Sequence, residues 1–184
     1  MIIGIAGTIG AGKGTVVDYL KAKGFAHYSS SGLLKELLKE QGLPAIRDYM
    51  SPLATQMRAE DPGGVPKRIY ERYLKEQPQN AIFEALHSVG EAEFIRSIGG
   101  KIIGVDADVR VRYERSQKRG EEKDQLSYDD FLRQVRIEDE GSAEDAARNN
   151  NIRAVLETAD VVIQNNGSLE ELQEQIETAL VQIA

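Results

Sequence analysis

The sequence predicts an α/β fold: a three-layer sandwich whose five-stranded parallel sheet lies between two layers of helices. Three observations predict it. Short apolar runs recur at residues 2–6, 25–28, 81–85, 101–105 and 160–163. Stretches with helical spacing of apolar residues separate them, and strands alternating with helices form parallel sheets covered on both faces. The first run also breaks into a glycine-rich turn that opens directly into a helix.

That turn reads Gly7-Thr8-Ile9-Gly10-Ala11-Gly12-Lys13-Gly14-Thr15. Strand, glycine-rich turn and helix in this order make a phosphate-binding loop. The glycines let backbone N–H groups turn inward, and the helix N-terminus adds partial positive charge. Lys13 supplies a point charge that reaches the β- and γ-phosphates of a nucleoside triphosphate. Gly7, Ile9, Gly10, Ala11, Gly12, Lys13, Gly14 and Thr15 are the expected triphosphate contacts. The general pattern places Ser or Thr directly after the Lys, where its hydroxyl binds Mg²⁺. Gly14 stands there instead. Mg²⁺ is therefore expected to be held mainly by phosphates and water, with Thr15 and Glu84 as candidate protein ligands.

The helix after the loop is expected to reach residue 23, with Val16, Val17 and Leu20 inward and Gly24 as its stop. After the second strand, Ser29-Ser30-Ser31 offers an N-cap for a helix over 33–41. Charged helical sequence continues to residue 76, broken at 42–44 and 61–64. The third strand leads to a helix over 89–98, and the fourth to one over 108–119. A polar loop at 120–125 precedes helices over 128–139 and 143–157. The fifth strand leads through Asn165-Asn166-Gly167 to Ser168, the cap of a last helix ending near 182. Stretches 31–77 and 120–157 are too long for simple crossovers. They are expected to be insertions in a single domain, 1–184: an acceptor-binding insertion and a lid, rising beyond the strand C-termini where ligands bind.

Chemistry-bearing residues cluster near these ends. Glu84 closes the third strand, where a carboxylate can orient the hydration shell of Mg²⁺. Arg112, Arg115 and Arg119 lie three and four apart on one helix face beside the polar loop. Phosphoryl transfer spreads negative charge that arginines on a closing lid stabilise. Arg115, Arg119 and Arg136, across the loop, join Lys13 and Glu84 as catalytic candidates. Lys35, Arg47 and Arg58 suit an acceptor phosphate, with Ser30 and His87 as further acceptor contacts. Arg115, Asn165 and Gly167 are expected beside the donor nucleotide.

Composition sets outer limits. Zero cysteines exclude disulfides and thiolate metal sites, and a net charge of −7 argues against nucleic acid as a general partner. No apolar run is long enough to cross a membrane, and the first apolar residues are too few for a signal peptide. The expectation is a cytoplasmic protein, monomer or homodimer, acting on small nucleotides.

With these pieces in place, the chain resembles P-loop kinases of the nucleoside monophosphate kinase group over nearly its whole length. Residues 7–15 are similar to the adenylate kinase loop, which shares the Lys-Gly-Thr form. His27-Tyr-Ser-Ser-Ser-Gly-Leu-Leu-Lys35 resembles the segment with which adenylate kinases grip AMP, with Lys35 in place of that family's Arg. Residues 83–94 resemble deoxynucleoside monophosphate kinases and archaeal adenylate kinase-related proteins, which usually carry Asp at Glu84 and Arg at His87. Residues 105–120 and 159–172 look like the same proteins and also like dephospho-CoA kinases. The resemblance implies the P-loop NTPase fold, with ATP as donor and Mg²⁺ as its counter-ion.

Elementary chemistry separates the acceptors. A phosphate is already a nucleophile and needs clamps, whereas a hydroxyl benefits from a carboxylate that takes its proton. Dephospho-CoA kinases carry an Asp after strand two; here the chain reads Tyr28-Ser-Ser-Ser-Gly32, without an acid. The favoured reading is transfer of the ATP γ-phosphoryl to a nucleoside or deoxynucleoside monophosphate. The alternatives are dephospho-CoA-like transfer to a ribose hydroxyl and a regulatory P-loop NTPase. For the latter, Asp61-Pro-Gly-Gly64 fits a switch spacing but follows no predicted strand.

Overall fold

The computed structural model describes residues 1–119, 126–140 and 150–184. Its strands are β1 (Ile2–Gly7), β2 (Ala26–Ser29), β3 (Ala81–Leu86), β4 (Lys101–Asp106) and β5 (Val161–Gln164). They form one sheet in the order β2-β3-β1-β4-β5, and every pairing is parallel. The described helices are α1 (Lys13–Ala22), α2 (Ser30–Glu40), α3 (Arg47–Glu60), α4 (Gly64–Glu76), α5 (Val89–Ser97), α6 (Val109–Arg119), α7 (Tyr128–Glu140), α8 (Ile152–Glu157) and α9 (Leu169–Ile183). This is the predicted three-layer fold.

The layers follow from strands apolar on both faces. Along β3, Ile82 faces one way and Ala81 and Phe83 the other. Ile82 packs with Ile3, Ile5, Ile103 and Val105 against Val16, Val17 and Leu20 of α1 and Leu172, Ile176 and Ala179 of α9. Phe83, with Ala6, Leu86 and Ile102, packs against Ala92 and Ile95 of α5 and Val65 and Ile69 of α4. Burying each large aliphatic or aromatic side chain contributes about 1.5–3 kcal/mol. β1 lies between β3 and β4, so the turn after it opens at the middle of the sheet, where strand order reverses.

Local capping sets several helix starts. α2 begins at Ser30, three residues before the expected start, because Ser29 Oγ accepts the Gly32 N–H at 3.2 Å and closes the N-terminus earlier. At α9, Ser168 and Glu171 form a reciprocal capping box. Strands run one residue beyond expectation at Gly7, Leu86, Asp106 and Gln164, so they reach the loops above the sheet. Tyr28 stacks on Phe83 with centroids 5.3 Å apart, and its hydroxyl donates to Glu76 Oε2 at 2.7 Å. Burial, helped by this acceptor, pushes the Tyr28 phenol well above its ordinary pKa. These contacts fasten α4 beside the sheet and fix the α2–α4 segment over the ends of β2 and β3. Of the helix expected over 143–157, α8 is the described part; residues 141–149 and the expected loop at 120–125 lie outside the described residues. No described helix is long and apolar enough to cross a membrane.

Candidate active site

The loop after β1 is shaped by two glycines in the left-handed region, Gly10 at φ 75° and Gly12 at φ 97°. Gly12 is the N-cap of α1 and brings no side chain, so the helix starts without a side-chain cap. A Cβ on Gly10 would lie 2.6 Å from the Arg112 carbonyl oxygen, so α6 packs directly on the loop. Lys13 folds back over the loop and donates to the carbonyls of Gly7 at 2.8 Å and Thr8 at 3.0 Å. Thr8 Oγ1 donates to Asp106 Oδ1 at 2.8 Å and ties the loop to the end of β4. Glycine turn, helix N-terminus and lysine together fit a polyphosphate.

The segment after β5 forms the loop's far wall. Asn165 is buried; its Nδ2 donates to the Ala11 carbonyl at 2.7 Å, and its N–H donates to the Asp106 carbonyl at 2.8 Å. Arg115 Nη1 donates to the Asn165 carbonyl at 2.7 Å. Arg115 and Asn165, both expected near the donor, therefore meet at the loop. Gly167 sits against Glu171 and leaves room for the α9 capping box, which is a structural reason for glycine there. Gly14 and Thr15 are exposed, and a Cβ on Gly14 would meet nothing within 4 Å. No described His, Asp or Glu side chains form a group of three or more able to hold a metal ion.

Beside the loop lies a cavity of about 530 Å³. Lys13 lines it together with Ser30, Lys35, Arg47, Arg58, Glu84 and His87. The structure thus brings every residue expected to meet an acceptor into one space with the loop lysine. Register explains part of this. Glu84 on β3 is level with Ile5 on β1 and Ser29 on β2, and the pairing then skips Ala85 so that Leu86 meets Ala6. Ser30 Oγ donates to the Ala85 carbonyl at 3.1 Å, which pins the start of α2 to this bulge.

Long-range partners hold the charged groups. His27 Nε2 lies 3.2 Å from Glu84 Oε2, and this hydrogen bond, outweighing burial, holds the Glu84 carboxyl below the usual carboxylate range. Arg58 Nη1 faces Glu91 Oε1 at 3.5 Å, both side chains at least 97% buried (3% and 1% exposed). Burial raises the Glu91 pKa against the pull of Arg58 and of the His87 and Ser88 N–H groups. Arg47 pairs with Glu138, joining α3 to α7 across the cavity. The His87 imidazole sits in this wall with Nδ1 buried and without a hydrogen-bond partner among the described residues. Burial, then the fields of Lys13 and Arg58, lower its pKa to about 3, so it is neutral at physiological pH.

Not every expected catalytic arginine is brought into this space. Arg136 is exposed on α7 and does not line the cavity. Arg119 ends α6, and its side chain lies outside the described residues. Sequence reasoning missed the parts that His27, Glu91 and Glu138 play as partners of Glu84, Arg58 and Arg47. Glu91 carried a signal: it stands three residues after Ser88, whose Oγ accepts the Glu91 N–H at 3.3 Å. That spacing reads as a helix cap, and the partnership with Arg58 is invisible in it.

A family model described as an AAA domain matches residues 3–152. The UPF0200 protein PAE1629 of Pyrobaculum aerophilum is 29% identical over 187 residues, covering 99% of this chain and 98% of its own length. Among solved structures, shikimate kinase from Bacteroides thetaiotaomicron matches with a TM-score of 0.62 at 13% identity, covering 98% of this chain and 97% of its own. Dephospho-CoA kinase from Campylobacter jejuni matches with a TM-score of 0.55 at 15% identity, covering 100% and 97%. At these identities the two kinases share the fold.

Proposed function

The chain belongs to the AAA domain family, and from that premise we propose that it is an ATP-dependent phosphotransferase acting on a nucleoside or deoxynucleoside monophosphate. The observation that carries this reading is the shared cavity. Lys13 of the donor loop lines the same space as Lys35, Arg47 and Arg58. Four cationic side chains face three carboxylates there, Glu84, Glu91 and Glu138, in a chain whose net charge is −7. A local excess of cations in an acidic protein suits an acceptor that brings its own negative charge.

In this reading the chain is one domain, with 31–77 as the acceptor-binding insertion and 120–157 as the lid. The triphosphate lies on the N–H groups of the loop, and Lys35, Arg47 and Arg58 orient the acceptor phosphate. An acceptor phosphate oxygen forms the new bond to the γ-phosphorus as the bridging bond to the β-phosphate breaks, and ADP leaves. Lys13 offsets the charge that migrates, and Arg115 with Asn165 fixes the loop's far wall. Because the acceptor is already ionised, positioning and electrostatic stabilisation suffice. Mg²⁺, when bound, would neutralise the phosphate oxygens, held mainly by them and by water, with Thr15 and Glu84 as candidate protein ligands.

Glu84 also favours a second reading, transfer to a hydroxyl, because a carboxylate in the cavity can take a hydroxyl proton. The His27 hydrogen bond weakens Glu84 as a base and so weighs against it. The test is an ATP-consumption screen over all ribo- and deoxyribonucleoside monophosphates, dephospho-CoA and shikimate. Turnover with a monophosphate is the expected result. Turnover confined to a hydroxyl acceptor, or hydrolysis that ignores every acceptor, would overturn the proposal.

A further inference from the structure

A further charged pair lies near the loop and takes no part in the proposed transfer. Arg112 on α6 and Asp139 on α7 are 7% and 6% exposed, with Nη1 and Oδ2 3.6 Å apart. Neither Nε nor Nη1 of Arg112 makes a hydrogen bond among the described residues, nor does Oδ1 of Asp139. Buried donors and acceptors left unmade are costly, and a guanidinium offers five N–H donors in a planar fork. Arg112 is also fixed against the donor loop, since its carbonyl oxygen occupies the space a Gly10 Cβ would need.

The groups around the pair narrow what could complete it. The Asp139 carboxyl lies in the fields of Arg112, Asp106, Arg153 and Lys13, and burial raises its pKa despite Arg112. Asp106 Oδ1 already accepts from Thr8 Oγ1 and from the Ala107 N–H, both at 2.8 Å. Lys13 donates to two loop carbonyls. Arg115, which shares the helix face, is held by Asn165. Among the described residues, Arg112 is therefore a buried cation beside a phosphate cradle with planar donors unfilled. An oxyanion with several oxygens is the ligand chemistry that fills such a fork.

We infer that Arg112 is a phosphate-contacting residue of the donor site and that Asp139 is the counter-ion that holds its guanidinium in place until phosphate oxygens arrive. The inference rests on the nucleotide-binding half of the proposed function and is independent of the acceptor. Asp139 positions the guanidinium and also competes with the phosphate for it. Removing the arginine weakens triphosphate binding; removing the aspartate charge strengthens it, and only while the arginine is present.

Calorimetric titration of the intact chain with ATP, and separately with inorganic tripolyphosphate, tests this, with melting temperature recorded for each variant. Arg112→Ala is expected to weaken both ligands about tenfold or more, the worth of one or two charge-assisted hydrogen bonds. Arg112→Lys keeps the charge, loses the fork, and is expected to fall between Arg112→Ala and the unmodified chain. Asp139→Asn is nearly isosteric and is expected to tighten binding about threefold or more, a gain that vanishes when Arg112→Ala is added. Affinities unchanged in both Asp139→Asn and Arg112→Lys, with only the melting temperatures lowered, would reduce the pair to a strut between α6 and α7. Tightening by Asp139→Asn that persists without Arg112 would also overturn the inference, because Asp139 would then act on the phosphates directly. If the unmodified chain binds neither ligand, it is the donor-site reading that fails.

Discussion

The donor loop and the cavity beside it solve the problem of holding anions in opposite ways. The loop is nine consecutive residues, 7–15, and its shape is a property of the backbone: two positive-φ glycines, a helix N-terminus and carbonyls that hold Lys13. The cavity is assembled from side chains on α2, α3, β3, α5 and α7. There each arginine faces a carboxylate from a distant segment, Arg58 with Glu91 and Arg47 with Glu138. A site built from backbone fails when its geometry is disturbed. A site built from ion pairs fails when one charge is left without the other.

The largest expected effect is on the loop side. Lys13→Met should lower phosphoryl transfer by roughly 10³-fold, the scale of losing one positioned charge or donor in a transition state. The fold should survive, because Lys13 folds back over its own loop and donates to the carbonyls of Gly7 and Thr8. Turnover in the screen at the unmodified rate would remove the loop from the mechanism.

On the cavity side the largest loss should appear in stability. Arg58→Ala leaves the Glu91 carboxylate buried without its cation, which typically costs about 3–5 kcal/mol. Arg58→Met combined with Glu91→Gln should cost far less, since neither charge is then stranded and the His87 N–H keeps its acceptor. Denaturant unfolding of the single and double variants measures the difference. Equal losses in both would show that the pair fills space and does little else.

His87 sharpens the contrast through pH. Its folded pKa, about 3, lies below its ordinary 6.5. Above pH 6.5 both folded and unfolded chains carry it neutral. As pH falls below that value the unfolded chain takes up a proton that the folded chain refuses. Stability is therefore lost progressively between about pH 6.5 and 3, by at most about 1.4 kcal/mol per pH unit from this group. His87→Asn should flatten that part of the stability profile relative to the unmodified chain. Identical acid profiles would mean that His87 ionises freely in the fold.

The same contrast explains what was legible in the sequence. Strand and helix periodicity act over a few residues, so β1, the loop, α1 and the burial of Val16, Val17 and Leu20 could be read directly. The start of α2 could not. Three serines in a row compete to cap it, and the choice shows only when Ser30 Oγ meets the Ala85 carbonyl, 55 residues away. Glu91 reads as a cap because its partner Arg58 is 33 residues distant. Arg136 is the case where periodicity held an answer that charge obscured. Phe131 and Val135 are buried four apart, Asp139 continues that stripe, and Arg136 falls off it.

The smallest predicted effects test whether backbone shape is what the loop requires. Gly12 lies at φ 97°, where an L side chain is strained by roughly 1–2 kcal/mol, and Gly14 has open space around it. Gly12→Ala should therefore destabilise the chain by at least that amount, since its Cβ would also collide with Asn165 Nδ2, and weaken triphosphate binding, since the N–H groups no longer converge. Gly14→Ala sits in the first turn of α1 with no neighbour to clash and should stabilise by about 0.5–1 kcal/mol through helix propensity alone. Thermal melts with ATP titration on both variants decide it. If the two alanines behave alike, the loop is a flexible tether for Lys13, and the distinction between a backbone-built donor site and a side-chain-built cavity loses its basis.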